Sequence, residues 1–262
     1  MKKLTLAILP LAALSLNTVS QAATTDGKTF GVSAGWLHVM PQSSAQGVSG
    51  KTGKVLGGAD VSSPDAGFDV QNADTAGLML DYFVNDNVSL EMVLGAPPRM
   101  ELEGVGAIKA GKLPLTNLSQ YSTAAKVDAY TPTISARYHF GAIDNKFRPY
   151  VGAGFMYAIF NNVKVDENLK NEIANNPTLN AIGFKPSLGK VKVEDAVAPV
   201  VMIGADYSIN KNWFATASVS YAHLSTTAKL DIKDPKVGTL LAGKSDIQIN
   251  PIVTYIGLGY RF

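Results

Sequence analysis

The sequence predicts an all-β fold, an eight-stranded antiparallel transmembrane β-barrel, and three observations carry that expectation. Side chains alternate with a period of two in eight segments of about ten residues. The connections between the segments are alternately short and long. An export signal stands in front of them.

The signal comes first in the chain. Lys2 and Lys3 form a charged start, Leu4 to Leu16 an apolar stretch, and Ser20-Gln21-Ala22 a small-x-small cleavage site. Cleavage after Ala22 leaves one domain, residues 23–262, behind a signal peptide, residues 1–22. Lys2 and Lys3 are two of the 23 basic residues, so the mature chain carries 21 against 21 acidic ones. That balance gives no support to nucleic acid as a partner. Hydrophobic residues make up 46% and charged residues 17% of the chain, against roughly 25% charged in soluble domains. Past the signal no run approaches the ~20 apolar residues of a membrane helix. Cysteine is absent, which removes disulfides, thiolate metal sites and a cysteine nucleophile.

The eight segments follow in order: Phe30 to Val39, Asp74 to Phe83, Val88 to Pro97, Ala129 to Phe140, Pro149 to Phe160, Val197 to Ser208, Trp213 to Thr226 and Ile247 to Phe262. The second, fourth and sixth are followed by short connections, Val84 to Asn87, Gly141 to Arg148 and Ile209 to Asn212. Those after the first, third, fifth and seventh are long: Met40 to Ala73, Pro98 to Asp128, Asn161 to Ala196 and Thr227 to Asp246. A barrel inserted from the periplasm is wired in this way, with short turns and both termini inside and long loops outside. In the last segment Ile256, Leu258, Tyr260 and Phe262 share a face directed at lipid, and Tyr255, Gly257, Gly259 and Arg261 share the lumen face. The same division sends Leu78, Leu80 and Tyr82, Leu90 and Met92, and Ile134, Tyr138 and Phe140 outward. Loop one, Ser43 to Gly67, is rich in Gly and Ser and reads as mobile. Loop three holds a short helix signal from Asp166 to Pro177, with Leu169 and Ile173 four apart.

Five stretches resemble the outer membrane protein W family: "DNVSLEMVLGAP" (Asp86 to Pro97), "RPYVGAGFMYAIF" (Arg148 to Phe160), the terminal "GLGYRF" (Gly257 to Phe262), "GWLHVMP" (Gly35 to Pro41) and "GADYSINKNW" (Gly204 to Trp213). The resemblance covers essentially the whole mature chain. It implies a small eight-stranded outer-membrane barrel with a role in moving small hydrophobic compounds across a Gram-negative outer membrane. The chain departs from the family where Tyr130-Thr131-Pro132-Thr133 replaces a Leu-Pro-Pro-Thr stretch and where Pro98-Arg99 follows the third strand.

The faces opposite lipid define the candidate sites. Inward charges Asp81, Glu91, Arg137, His139, Asp206 and Arg261 all fall near the short-turn ends. An eight-stranded barrel is only wide enough for side chains to fill it, and unpaired buried charge costs several kcal/mol. These groups are therefore expected to pair into a lumen plug. Toward the long loops the inward residues become apolar, and Leu37, Val93, Pro97, Met156, Phe160, Val200, Met202, Leu224 and Val253 are expected to line a cup for a hydrophobic ligand. Pro97, Pro132, Pro199 and Pro251 each remove a ladder donor in the loop-side half of the wall. They are the candidates for a lateral opening into the membrane, with plain strand ends as the competing reading.

No cofactor is expected. His38, His139 and His223 have no metal-ligand spacing. His223 and Ser225 share a face of the seventh segment, a generic pairing that keeps a lipid-modifying enzyme as the least favoured reading. The other alternative is a structural or adhesive barrel whose loops contact a host or phage surface. The expected partners are a small hydrophobic solute, outer-membrane lipid and lipopolysaccharide, and the periplasmic chaperones and barrel-assembly machinery that would read the C-terminal strand.

Overall fold

The computed structural model describes residues 24–110 and 113–262, so the expected signal peptide lies outside the described residues. Eight antiparallel strands close a ring: β1 (Phe30–Met40), β2 (Ala73–Phe83), β3 (Val88–Gly95), β4 (Thr133–His139), β5 (Phe147–Val165), β6 (Ala196–Ser208), β7 (Trp213–Ala222) and β8 (Ile252–Arg261). Each pairs with the next in the chain, and β8 returns to β1 with Gly31 opposite Arg261 and Met40 opposite Ile252. Along these ladders closure pairs each strand on both sides, so the backbone there meets no hydrocarbon unbonded.

Two of the short connections are built by the same device. In "NDN" and "NKN" the first asparagine folds back on the backbone. Asn85 Oδ1 accepts from the N–H of Asn87 and Val88, at 2.9 and 2.8 Å. Asn210 Oδ1 accepts from Asn212 and Trp213, both at 2.9 Å. Such Asx turns replace backbone bonding where the chain reverses. The second asparagine then ties each turn to a neighbouring strand, Asn87 Nδ2 donating to the His139 carbonyl (2.8 Å) and Asn212 Nδ2 to that of Arg261 (2.9 Å).

Alternation sorts the two faces as the sequence predicts. Leu78, Leu80, Leu90, Ile134, Ile256 and Leu258 are exposed on the outer wall. At the short-turn end aromatic rings form a girdle, with Phe30 packed on Tyr82 (5.2 Å between centroids), Trp213 on Tyr260 (5.3 Å) and Tyr138 on Phe140 (5.2 Å). Their amphipathic rings suit the membrane interface.

Several strands stop sooner than alternation alone suggests, and proline or its neighbours mark the breaks. β3 ends at Gly95 before Pro97, β4 begins at Thr133 after Pro132, and β8 begins at Ile252 after Pro251. Above those breaks the long connections are themselves largely stranded. Ala125–Tyr130 pairs with the upper part of β5, Arg99–Val105 with Ala125–Tyr130, and Gly67–Val70 with Arg99–Val105, extending the wall. Loop one, read as mobile, instead contributes Ser44–Thr52 and Asp60–Ser63 to a six-stranded sheet with Ser225–Asp234, Gly238–Gln248, Ser187–Leu188 and Lys192–Val193. Its few apolar residues suffice because Val48 and Val61 are buried against Leu240 and Leu241 of the neighbouring chain segments. The helix signal of loop three gives α1 (Glu167–Ala174) and α2 (Pro177–Ala181). Asp166 caps α1 by accepting from Asn168 N–H at 2.8 Å, and Leu169 and Ile173 are buried beneath it.

Candidate functional site

The short-turn end of the lumen is filled by an ionic and aromatic floor. Arg137 on β4 pairs with Asp81 on β2 and, through Nη1 at 3.0 Å, with Glu91 on β3. All three side chains are at most 4% exposed. Ser135 Oγ donates to Glu91 at 3.0 Å, and the guanidinium lies 4.6 Å from the centre of the Tyr150 ring. His139 is fully enclosed, with Ser89 Oγ at 2.9 Å and Asp206 at 3.4 Å. Arg261 sits over Phe83 at 4.1 Å and 3.8 Å from Asp26. Five of the six inward charges thus pair among themselves, Arg137 with Asp81 and Glu91 and His139 with Asp206, while Arg261 pairs with Asp26.

A buried member of the floor lies outside the six. Arg148 on β5 is 3% exposed and donates to the Asp86 backbone carbonyl. It stands in the turn if the fifth strand starts at Pro149, yet it shares parity with Tyr150 and Met156, and that parity is the signal that finds it. Glycines make room for the aromatic part. A Cβ at Gly204 would fall 2.4 Å from the Tyr150 ring, and one at Gly259 would fall 2.3 Å from that of Phe214.

Directly above lies an apolar cavity of about 110 Å³. Leu37, Val93, Met156, Phe160, Val200, Met202, Leu224 and Val253 line it, and Glu91, Met79 and Tyr255 are at its base. Pro97 does not line it. That residue is exposed on the outside, and Pro98 takes the lining position because the chain turns there into the Arg99–Val105 strand.

The four prolines separate into two places. Between β3 and β4 the ladder ends with Val93 opposite Thr133. The next backbone bond across that seam is Ala129 N–H to the Pro98 carbonyl, 3.1 Å. Residues 94–97 and 130–132 are unpaired with each other between those points, and Pro97 and Pro132 stand on its two sides. Tyr130 and Pro132 instead bond toward β5, Pro132 accepting from Tyr157 N–H at 2.9 Å. Gly95, Ala96, Pro98, Ala129 and Thr131 line both this interruption and the cavity. Pro199 and Pro251 are elsewhere. Their carbonyls accept from His223 and Ala222 N–H, each at 3.1 Å, so the wall around β7 stays bonded there. Neither borders the β3–β4 interruption, where Pro97 and Pro132 stand. His223 and Ser225 are both exposed on the outside, just past β7.

A closed eight-stranded antiparallel barrel with an apolar outer band, aromatic girdle and long-loop extension is an outer-membrane barrel protein of a Gram-negative bacterium. The chain belongs to the OmpW family, whose model matches residues 26–262. It is 30% identical over 262 residues to Outer membrane protein W of Escherichia coli K12, covering 100% of both chains. It is 26% identical over 183 residues to the Dibenzothiophene metabolism operon protein PahQ of Pseudomonas aeruginosa, covering 69% of this chain and 68% of that one. The crystal structure of the outer membrane protein OprG from Pseudomonas aeruginosa shares the fold, with a TM-score of 0.69 at 22% identity over 90% of this chain and 96% of that one.

Proposed function

We propose that the protein takes up small hydrophobic molecules, which enter the apolar cup from the long-loop side and leave sideways into the membrane through the β3–β4 seam. The observation that carries this reading is the coincidence of the cup with the unpaired stretch of wall, since Gly95, Ala96 and Thr131 border both. The floor of Arg137, Asp81, Glu91, His139, Asp206, Arg261 and Arg148 occupies the direct path to the periplasm, so an apolar solute has no reason to descend through it. Burial drives occupancy at roughly 25 cal/mol per Å² of apolar surface. The PahQ name, which ties that relative to dibenzothiophene metabolism, agrees with an apolar substrate class.

Gly95 gives the direct test. A Cβ there meets nothing closer than the Ala76 carbonyl and Leu37 Cδ1, both at 3.5 Å, so a larger side chain has room to grow into the cup. Gly95→Trp is expected to cut protein-dependent uptake of a labelled alkane by whole cells while the barrel stays folded in the membrane. Unchanged uptake in the folded variant would reject the route. A second reading, a receptor or adhesive barrel, draws on the stiffness of the stranded extension. Deleting the tip of the Ser225–Gln248 hairpin separates the two, because adhesion depends on the tip and uptake through the cup does not.

A further inference from the structure

A second, larger cavity of about 450 Å³ lies in the extension, outside the membrane ring. Val48, Leu118, Leu240, Leu188, Leu169 and Ile173 face it, so the six-stranded sheet, the wall extension and α1 enclose it together. Three residues, Leu102, Val193 and Ile247, line both this chamber and the cup beneath. We infer that the outer chamber is the protein's principal binding site for an apolar solute, and that Leu102, Val193 and Ile247 form a waist that selects by solute cross-section. The inference rests on the uptake reading and deepens it.

Sizes carry the first half. Pockets that hold drug-sized ligands run from about 300 to 1,000 Å³, and the outer chamber falls in that range. An engineered apolar cavity of about 150 Å³ accommodates benzene, whereas the cup is about 110 Å³. A fused-ring solute fits the chamber and not the cup, while an alkyl chain can thread both.

Rigidity carries the second half. The three waist residues are 3–6% exposed, and each stands on backbone paired to its neighbours. Leu102 lies between Val70 and Ala125, and Ile247 between Thr226 and Ala45. Val193 sits opposite Ala228 on a strand of two residues, and the next residue is fastened to that same neighbouring strand. Glu194 N–H donates to the Thr227 carbonyl (3.0 Å), Thr226 Oγ1 donates to the Glu194 carbonyl (2.5 Å), and the Glu194 carboxylate pairs with Lys229. Paired backbone of this kind fixes the spacing between the three side chains.

The test compares n-octane and phenanthrene, as labelled uptake by cells making the full chain and as phenanthrene fluorescence titrated onto the purified protein in lipid nanodiscs. Val193→Phe is expected to lower octane uptake at least about tenfold more than it lowers phenanthrene binding, the scale on which one or two methylenes discriminate in a tight apolar site. Val193→Ala is expected to raise the phenanthrene-to-octane uptake ratio. Equal ratios in wild type and both variants would overturn the waist. Loss of binding in step with uptake in Val193→Phe would overturn a separate outer site. Wild-type protein that binds phenanthrene yet takes up neither solute would reject the uptake reading and the selective waist while leaving the outer site standing.

Discussion

Replacing Arg137 by methionine tests the floor most severely. Among the described residues its guanidinium is the only basic group within pairing distance of Asp81 and of Glu91, which are 4% and 1% exposed. Methionine keeps the length and apolar packing of the side chain over Tyr150 but leaves two buried carboxylates without a counter-charge. Breaking a buried pair in this way costs about 3–5 kcal/mol. With a urea slope of about 2 kcal/mol/M, the unfolding midpoint should fall by about 1.5–2.5 M. Equilibrium urea unfolding in lipid vesicles reads this directly, because the chain has two tryptophans and both Trp36 and Trp213 face outward. Their emission moves to the red as they leave lipid. The triple variant Asp81→Asn, Glu91→Gln, Arg137→Met removes the stranded charges and should recover most of the loss. An Arg137→Met midpoint within about 0.5 M of wild type would refute the assignment of the floor as a set of mutually dependent ions.

The extension yields further tests. Burial and the adjacent Glu172 carboxylate push the Tyr121 hydroxyl up to about 12. The neutral hydroxyl donates to Glu172, so this clip should hold through pH 10 and open only toward pH 12; the absorbance titration difference between wild type and Tyr121→Phe should show that late midpoint. The Asp234 carboxyl is held below its usual value by the Lys185 N–H first, then by those of Lys236 and Val237. Its contribution is therefore present at neutral pH and lost as pH falls below the usual carboxylate range. Asp234→Ala should speed hydrogen exchange at the Lys236 and Val237 amides at pH 6, and by less at pH 2.5. Asp166→Ala removes the α1 cap and should cost about 1 kcal/mol, read as faster exchange at Asn168 and Leu169 with the barrel itself unaffected.

Side-chain parity made most of the ring legible in the sequence. Tyr82 outside and Asp81 inside follow from position alone, and eight of the nine residues named for the cup line one cavity. Parity has no information about where a ladder breaks. The segments drawn through Pro132 and Pro251 looked continuous because the residues beyond each proline keep alternating, although the backbone there bonds to different neighbours. Loop one was opaque for another reason. Val48 is buried by partners such as Leu240, nearly two hundred residues away, and no local window shows that a Gly- and Ser-rich strand will find them. The outer chamber, assembled from four long connections, was invisible on the same grounds.

Proline content alone does not open a barrel wall; the residue across the seam decides. Pro199 lacks an N–H, yet its carbonyl still receives His223, and the β6–β7 ladder runs to its end. At the β3–β4 seam the loss falls on both sides. Pro97 cannot donate from one strand, Pro132 cannot donate from the other, and Pro132 turns its carbonyl away to Tyr157. Restoring a donor on a single side therefore leaves the opposite strand unable to answer it. Pro132→Ala alone should leave uptake close to wild type, whereas Pro97→Ala with Pro132→Ala should lengthen the β3–β4 ladder, seen as new protected amides, and reduce uptake. If Pro132→Ala by itself abolished uptake, the two-sided account of the seam would be wrong.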